Sequence, residues 1–149
     1  MEIAVLGLGC FWGPEIKFSK IKGIIKTEVG YCGGKNSFTT YKEVCAGKTG
    51  HAEVVRLTFD EKLITYEKIL DLFFKMHDPT QKDMQYPDVG TQYRSEIFYE
   101  NDKQKILAIQ IKEKLSQQFN NKIETNISKI KNYCKAEEYH QKYIEKKRG

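Results

Sequence analysis

No apolar run in this sequence of 149 residues approaches the roughly 20 residues that cross a bilayer. The opening Met1-Glu2-Ile3-Ala4-Val5-Leu6 also lacks the basic leader and apolar stretch of a secretory signal. Neither a membrane span nor export is expected, and the expected location is the cytoplasm. Repeats, linkers and low-complexity stretches are missing too, so residues 1–149 are expected to form a single domain, long enough for one core. The four cysteines form no C-x-x-C pair, and His51, His77 and His140 stand apart, so no spacing for zinc ligands is present. Cysteines in such a chain are expected to be thiols rather than a disulfide framework. Arginine is scarce. Residues 102–149 carry 12 Lys and Arg against 6 Asp and Glu, and residues 1–101 carry 13 against 14. Because Lys103, Lys105, Lys112 and Lys114 are dispersed, the basic third reads as solvated surface rather than a nucleic-acid face. Neither nucleic acid nor membrane is an expected partner.

What is present suits a packed core: 8 Phe, 9 Tyr and one Trp argue against disorder. Ile3 to Leu6 is an unbroken apolar run ending in Gly7 and Gly9, as in a central strand buried on both faces. Gly13-Pro14 opens a helix carrying Ile16 and Ile21, proline being tolerated in a first turn. Ile25, Thr27, Val29 and Tyr31 alternate with polar residues or glycine, and Val55, Leu57 and Phe59 alternate with Val54, Arg56 and Thr58, predicting two more strands. Tyr66, Ile69, Leu70, Phe73, Phe74 and His77 have helical spacing, with Asp78-Pro79 as the stop. Ser95 to Tyr99 reads as a strand. Asp102 is the predicted cap of a helix with Leu107, Ala108, Ile111, Leu115 and Phe119 along one stripe. A weaker strand is expected within Ile127 to Tyr133, and a terminal helix from Glu137 to Lys147. The order predicts an α+β two-layer sandwich with a ferredoxin-like βαββαβ core and an extra C-terminal helix. Between Asp78 and Ser95 the chain has Pro79, Pro87 and Gly90 and no period, a loop long enough to be functional.

Cys10 follows the first strand and Gly9 and precedes a helix start. A helix N-terminus stabilises a thiolate, so its pKa is expected to fall and its nucleophilicity to rise. The plainer alternative is a small buried side chain flanked by the core aromatics Phe11 and Trp12. Glu53 shares strand parity with Val55, Leu57 and Phe59, so it points inward if they do. An unpaired buried carboxyl keeps its proton, as a general acid at neutral pH requires. The turn through Gly47, Thr49, Gly50 and His51 leaves open an outward-facing glutamate at the strand end.

Six motifs occur in one order: Gly9-Cys10-Phe11-Trp12-Gly13, Gly30-Tyr31-Cys32-Gly33-Gly34, YKEVCAGKTGHAE from Tyr41 to Glu53, His77-Asp78-Pro79-Thr80, Gly90-Thr91-Gln92-Tyr93-Arg94-Ser95 and Ala136-Glu137-Glu138-Tyr139-His140-Gln141. From Ile3 to about Tyr143 the chain closely resembles the A-type peptide methionine sulfoxide reductases. The resemblance implies reduction of the S-epimer of methionine sulfoxide, free or in proteins, with no cofactor and no metal. It implies that Cys10 attacks the sulfoxide sulfur and becomes a sulfenic acid. It implies further that Glu53 protonates the oxygen, that Tyr41 and Tyr93 hydrogen-bond it, that Asp88 belongs to the site, and that Phe11 and Trp12 hold the S-methyl group. A sulfoxide sulfur is a poor electrophile until its oxygen is polarised, which is why an acid and O–H donors face a thiol. The resolving cysteines that many relatives carry in a C-terminal tail have no counterpart after Cys134, and cysteine at position 45 is usual in the family without a recycling role. Cys32 and Cys134 are the candidate resolving residues. The favoured cycle uses Cys10 alone, with glutathione and glutaredoxin, or else thioredoxin, as reductant. Some relatives of this kind carry selenocysteine where Cys10 stands. A thiol peroxidase using the same cysteine is the competing activity.

Overall fold

The computed structural model describes residues 1–120 and 122–148. In chain order the elements are β1 (Glu2–Leu8), α1 (Trp12–Ser19), β2 (Ile24–Cys32), α2 (Tyr41–Cys45), β3 (Ala52–Phe59), α3 (Tyr66–Met76), β4 (Met84–Gln85), β5 (Asp88–Val89), a 3-10 turn (Thr91–Tyr93), β6 (Ser95–Tyr99), α4 (Asp102–Gln118), β7 (Asn126–Lys129), β8 (Cys134–Lys135), a second 3-10 turn (Glu138–His140) and α5 (Tyr143–Arg148). Six strands form one mixed sheet in the order β7-β6-β1-β3-β2-β8, and β4 and β5 form a separate hairpin. Only the β6–β7 pair of the large sheet is parallel. The architecture is mixed α+β.

The period-two pattern fixes which face each side chain meets. Leu6, Leu8, Val55, Leu57 and Phe59 join Phe18 of α1 and Ile69, Leu70 and Phe73 of α3 in one buried cluster. The alternate residues Val5, Ala52, Val54 and Phe98 join Cys32 in a second cluster, covered by Ile130 and Tyr133. As expected, β1 is apolar on both faces because both are covered. Burying each phenylalanine or leucine of the α3 stripe contributes about 1.5–3 kcal/mol, and the Thr65 hydroxyl caps that helix by accepting the Lys68 N–H at 3.1 Å. His77 closes α3 against β6. Its Nδ1–H donates to the Phe73 carbonyl at 2.7 Å, leaving Nε2 to accept the Ser95 hydroxyl at 2.7 Å.

Several local expectations are corrected. A register shift between Ile24 and Lys26 turns Ile25 outward, 56% exposed. The cap of α4 is Asn101, whose side chain accepts the Gln104 N–H at 3.0 Å, and Asp102 lies inside the helix. The region from Ile127 to Tyr133 is no continuous strand: β7 ends at Lys129, and Asn132 has φ 51° before β8 begins. The predicted terminal helix is broken at Lys142, where φ of 53° is incompatible with continuing a helix, so a 3-10 turn and the short α5 replace it. The aperiodic segment contains the β4–β5 hairpin. The five-residue helix α2 is an addition to the predicted elements: Tyr41, Val44 and Cys45 have helical spacing, but one turn is too short for the pattern to stand out in sequence.

The sheet brings three strand ends together. Antiparallel pairing sets Leu6 opposite Val55 and Leu8 opposite Ser95, so the end of β1 adjoins the starts of β3 and β6. Cys10, Glu53 and Tyr93 follow or precede those three ends by one or two residues.

Candidate active site

Gly9 makes the bend that carries Cys10 off the sheet. Its φ is 94°, and a Cβ there would stand 3.0 Å from Gln85, so both conformation and space call for glycine. Cys10 is half-buried at the mouth of α1, and its sulfur accepts the Trp12 N–H. Its thiol is nonetheless pushed up to about 11, chiefly by burial, with the neighbouring acidic groups Glu53, Asp88 and Cys45 adding. The expected fall in pKa is therefore corrected: one helix-end N–H does not offset desolvation in an acidic setting. In the resting protein Cys10 is a thiol at neutral pH.

Glu53 opens β3 with its side chain inward, 1% exposed. Its Oε1 accepts the Phe11 N–H at 3.2 Å. Burial pushes the carboxyl up to about 8, the Phe11 N–H opposing and Asp88 adding. The inward reading holds, and Glu53 carries a proton at pH 7.

The two phenols come from different elements. Tyr41 starts α2 and is braced by Glu137, whose carboxylate accepts the Tyr41 N–H at 2.9 Å and the Tyr31 hydroxyl at 2.7 Å. Burial raises the Tyr41 phenol above its usual range, as does its contact with the Cys45 thiol, with Glu53 and Tyr93 close by. Tyr93 sits in the 3-10 turn before β6; burial raises its phenol as well, and Glu53, Cys45, Asp88 and Cys10 face it. Asp88, on the hairpin, presents its charge to Cys10, Glu53 and Tyr93. Hence Cys10, Glu53, Tyr41, Tyr93 and Asp88 are brought together.

Phe11 and Trp12 follow the thiol directly in the chain and pack into the core. Phe11 is buried, its ring 5.8 Å from Tyr31 and 5.2 Å from His140. Trp12 stacks on Tyr143 at 3.9 Å and donates its indole N–H to His140 Nδ1 at 3.0 Å. His140 is 1% exposed, and the Tyr41 ring lies 4.4 Å from it. Burial lowers its pKa, Glu137 opposing, so it is neutral; the bond from Trp12 puts its proton on Nε2. Sequence reasoning gave no role to Glu137, His140 or Tyr143. The available signal was the motif from Ala136 to Gln141, although nothing local shows that it folds back over residue 12.

The other cysteines differ in placement. Cys32 is fully buried in the cluster on the opposite sheet face, its sulfur on the Lys131 carbonyl at 3.4 Å. Cys134 lies on β8 with its sulfur on the Thr39 carbonyl at 3.6 Å. Neither is among the strongest influences on the Cys10 thiol. Cys45, exposed and one helical turn after Tyr41, is the thiol that joins the group. A surface groove of about 570 Å³, lined by Ile16, Lys20, Ile25 and Lys142, contains none of these residues.

A thiol facing a protonated carboxyl and two phenols, followed by two core aromatics, on a mixed α+β scaffold, defines a thiol-dependent oxidoreductase. The family is specific: residues 2–149 match the model of the peptide methionine sulfoxide reductase family, and the chain belongs to it. It is similar to peptide methionine sulfoxide reductase MsrA of Pelagibacter ubique, 63% identical over 147 residues that cover 99% of this chain and 100% of that one. The corresponding protein of Methanosarcina acetivorans is 50% identical over 149 residues, covering 99% and 79%. Among solved structures, Mxr1 from Saccharomyces cerevisiae in reduced form superposes with a TM-score of 0.93 at 41% identity, covering 97% of this chain and 84% of that chain. Methionine sulfoxide reductase A of Corynebacterium diphtheriae gives a TM-score of 0.87 at 32% identity, covering 97% and 74%.

Proposed function

We propose that this methionine sulfoxide reductase acts on the S-epimer, with Cys10 as nucleophile and Glu53 as proton donor. The observation that carries the reading is the protonated, sealed Glu53 carboxyl beside the Cys10 thiol. The enzyme reduces methionine sulfoxide and so repairs oxidised methionine. In our reading the substrate methyl lies against Phe11 and Trp12, while its oxygen takes hydrogen bonds from Tyr41, Tyr93 and Glu53. Cys10 sulfur attacks the sulfoxide sulfur as Glu53 protonates the oxygen. The oxygen passes to Cys10 as a sulfenic acid and the substrate leaves as the thioether. The thiol proton that Cys10 gives up replaces the one Glu53 delivers, so one thiol and one sulfoxide become one sulfenic acid and one thioether. Asp88 helps to keep Glu53 protonated. The opposite epimer would press its oxygen on Trp12 and leave the donors unmatched, a cost of about 1–3 kcal/mol for each buried group.

An external thiol then attacks the sulfenic sulfur, releasing water and leaving a mixed disulfide that a second thiol reduces. Glutathione with glutaredoxin is our preferred reductant. Thioredoxin is the other, and a solved structure of yeast Mxr1 in complex with Trx2, 29% identical with a TM-score of 0.68, supports that class. We treat residues 1–149 as one catalytic domain, ferredoxin-like in its β6-β1-β3-β2 core order, acting on oxidised proteins and peptides. Cytoplasmic residence suits four unpaired cysteines. Among the described residues no helix is long and apolar enough to cross a membrane. The peroxidase alternative is not favoured, because peroxide has no methyl group for the wall at Trp12 to hold.

The test is racemic methionine sulfoxide run to completion and separated by chiral chromatography. Half should remain, and Cys10→Ser should consume none while keeping its fold. Loss of both epimers contradicts the pocket, and turnover by the serine variant contradicts the nucleophile.

A further inference from the structure

We propose that Arg94 is a positioning residue that holds Tyr93 in register with Glu53, an inference that rests on the roles given to those two residues above. Arg94 directly follows Tyr93, and its guanidinium spans three segments. Nη1 donates to the Thr91 carbonyl at 2.9 Å, closing the 3-10 turn that carries Tyr93. Nη2 donates to the Gly50 carbonyl at 3.1 Å, in the turn three residues before Glu53. Nε donates to Glu96 Oε1 at 2.6 Å, and the two side chains are only 13% and 6% exposed. The other Glu96 oxygen accepts the Ser128 hydroxyl, which anchors the pair to β7. The backbone makes a matching approach, since a Cβ on Gly7 of β1 would stand 3.3 Å from the Arg94 carbonyl oxygen and 3.4 Å from that of Glu53.

Thus one planar fork links the turn that carries Tyr93 to the turn that leads into the Glu53 strand, through a contact between residues 44 apart in sequence. Lysine cannot replace it. An ammonium on a flexible stem meets Glu96 or one carbonyl, whereas the guanidinium presents five N–H donors in a fixed plane. Among the described residues the fork is the side-chain hydrogen bond that ties the short turn bearing Tyr93 to the turn leading into the Glu53 strand. A displacement of about 1 Å at a reacting group costs on the order of 10²-fold in rate.

The test is a double-mutant cycle on kcat/KM for methionine-S-sulfoxide with Tyr93→Phe and Arg94→Lys. Tyr93→Phe should cost about tenfold or more, and Arg94→Lys about 10–100-fold. In the Arg94→Lys background the further cost of Tyr93→Phe should shrink below about threefold, because the phenol is no longer in place. A purely structural arginine would leave the Tyr93 effect unchanged, and an equal cost in both backgrounds overturns the inference alone. Full activity of Tyr93→Phe removes the role of Tyr93 and this inference with it. Arg94→Gln with Glu96→Gln removes both charges of the buried pair and checks folding; if neither it nor Arg94→Lys folds, Arg94 is a residue of the fold itself and the proposal fails.

Discussion

Glu53 shows how much one side chain owes to its position. In the unfolded chain a glutamate releases its proton near 4.5, whereas here it holds it to about 8. Across that window the native state binds more protons than the unfolded state, so this group makes stability fall as pH rises from about 4.5 to about 8. Glu53→Gln removes that dependence. Relative to wild type the variant should gain on the order of 3 kcal/mol between pH 5 and pH 8, read from denaturant unfolding at the two values. Taking the difference from wild type cancels the opposing slope of His77, whose pKa burial lowers to about 4. Turnover of the same variant should fall by on the order of 10²–10⁴, since an amide delivers no proton. A parallel pH dependence in both proteins would mean that Glu53 is ionised in the fold.

At the scale of elements, the site depends on turns more than on helices. The Gly33-Gly34 turn packs against the strap before β3, and a methyl group at Gly34 would overlap the imidazole of His51. His51 is buried, its Nε2–H donates to the Asn36 carbonyl at 2.9 Å, and the Asn132 amide donates to the Gly34 carbonyl at 2.9 Å. Relaxation is therefore confined. Gly34→Ala should cost about 1–3 kcal/mol, lowering Tm by about 2–10 °C for a domain of this size. Because His51 lies two residues before Glu53, turnover should drop as well. An unchanged Tm by calorimetry would show that His51 moves aside freely.

The whole molecule divides its thiols by sheet face and edge. Cys10 lies at the meeting of three strand ends, Cys32 is sealed on the other face, and Cys134 is held on the edge strand β8. A disulfide needs Cα atoms within about 7 Å, and nothing in this arrangement aims Cys32 or Cys134 at Cys10. Single turnover without reductant should therefore consume one thiol. The variant lacking both Cys32 and Cys134 should keep glutaredoxin-supported turnover within about tenfold of wild type. Loss of two thiols would reject the one-cysteine cycle, and peptide mapping would then identify the partner, Cys45 being the thiol that shares the site.

Read alone, the sequence determined the central strands β1 and β3 and the buried stripe of α3. Alternation of period two in β3 and the stripe of α3 depend on local geometry, so Glu53 with Val55, and Ile69 with Phe73, were legible as shared faces. Cys10 between a strand and a helix was legible for the same reason. Tertiary structure alone decided the rest, because the deciding contacts are distant or collective. The bulge after Ile24 exposes Ile25 within an otherwise regular alternation. The break at Lys142 folds the last segment so that His140 meets Trp12 across 128 residues. Desolvation, which no residue reports about itself, raised the Cys10 thiol where the helix end alone predicted a fall, and the same burial left Glu53 its proton. A spacing along the chain fixes direction, whereas a pKa is set by everything that displaces water around the group.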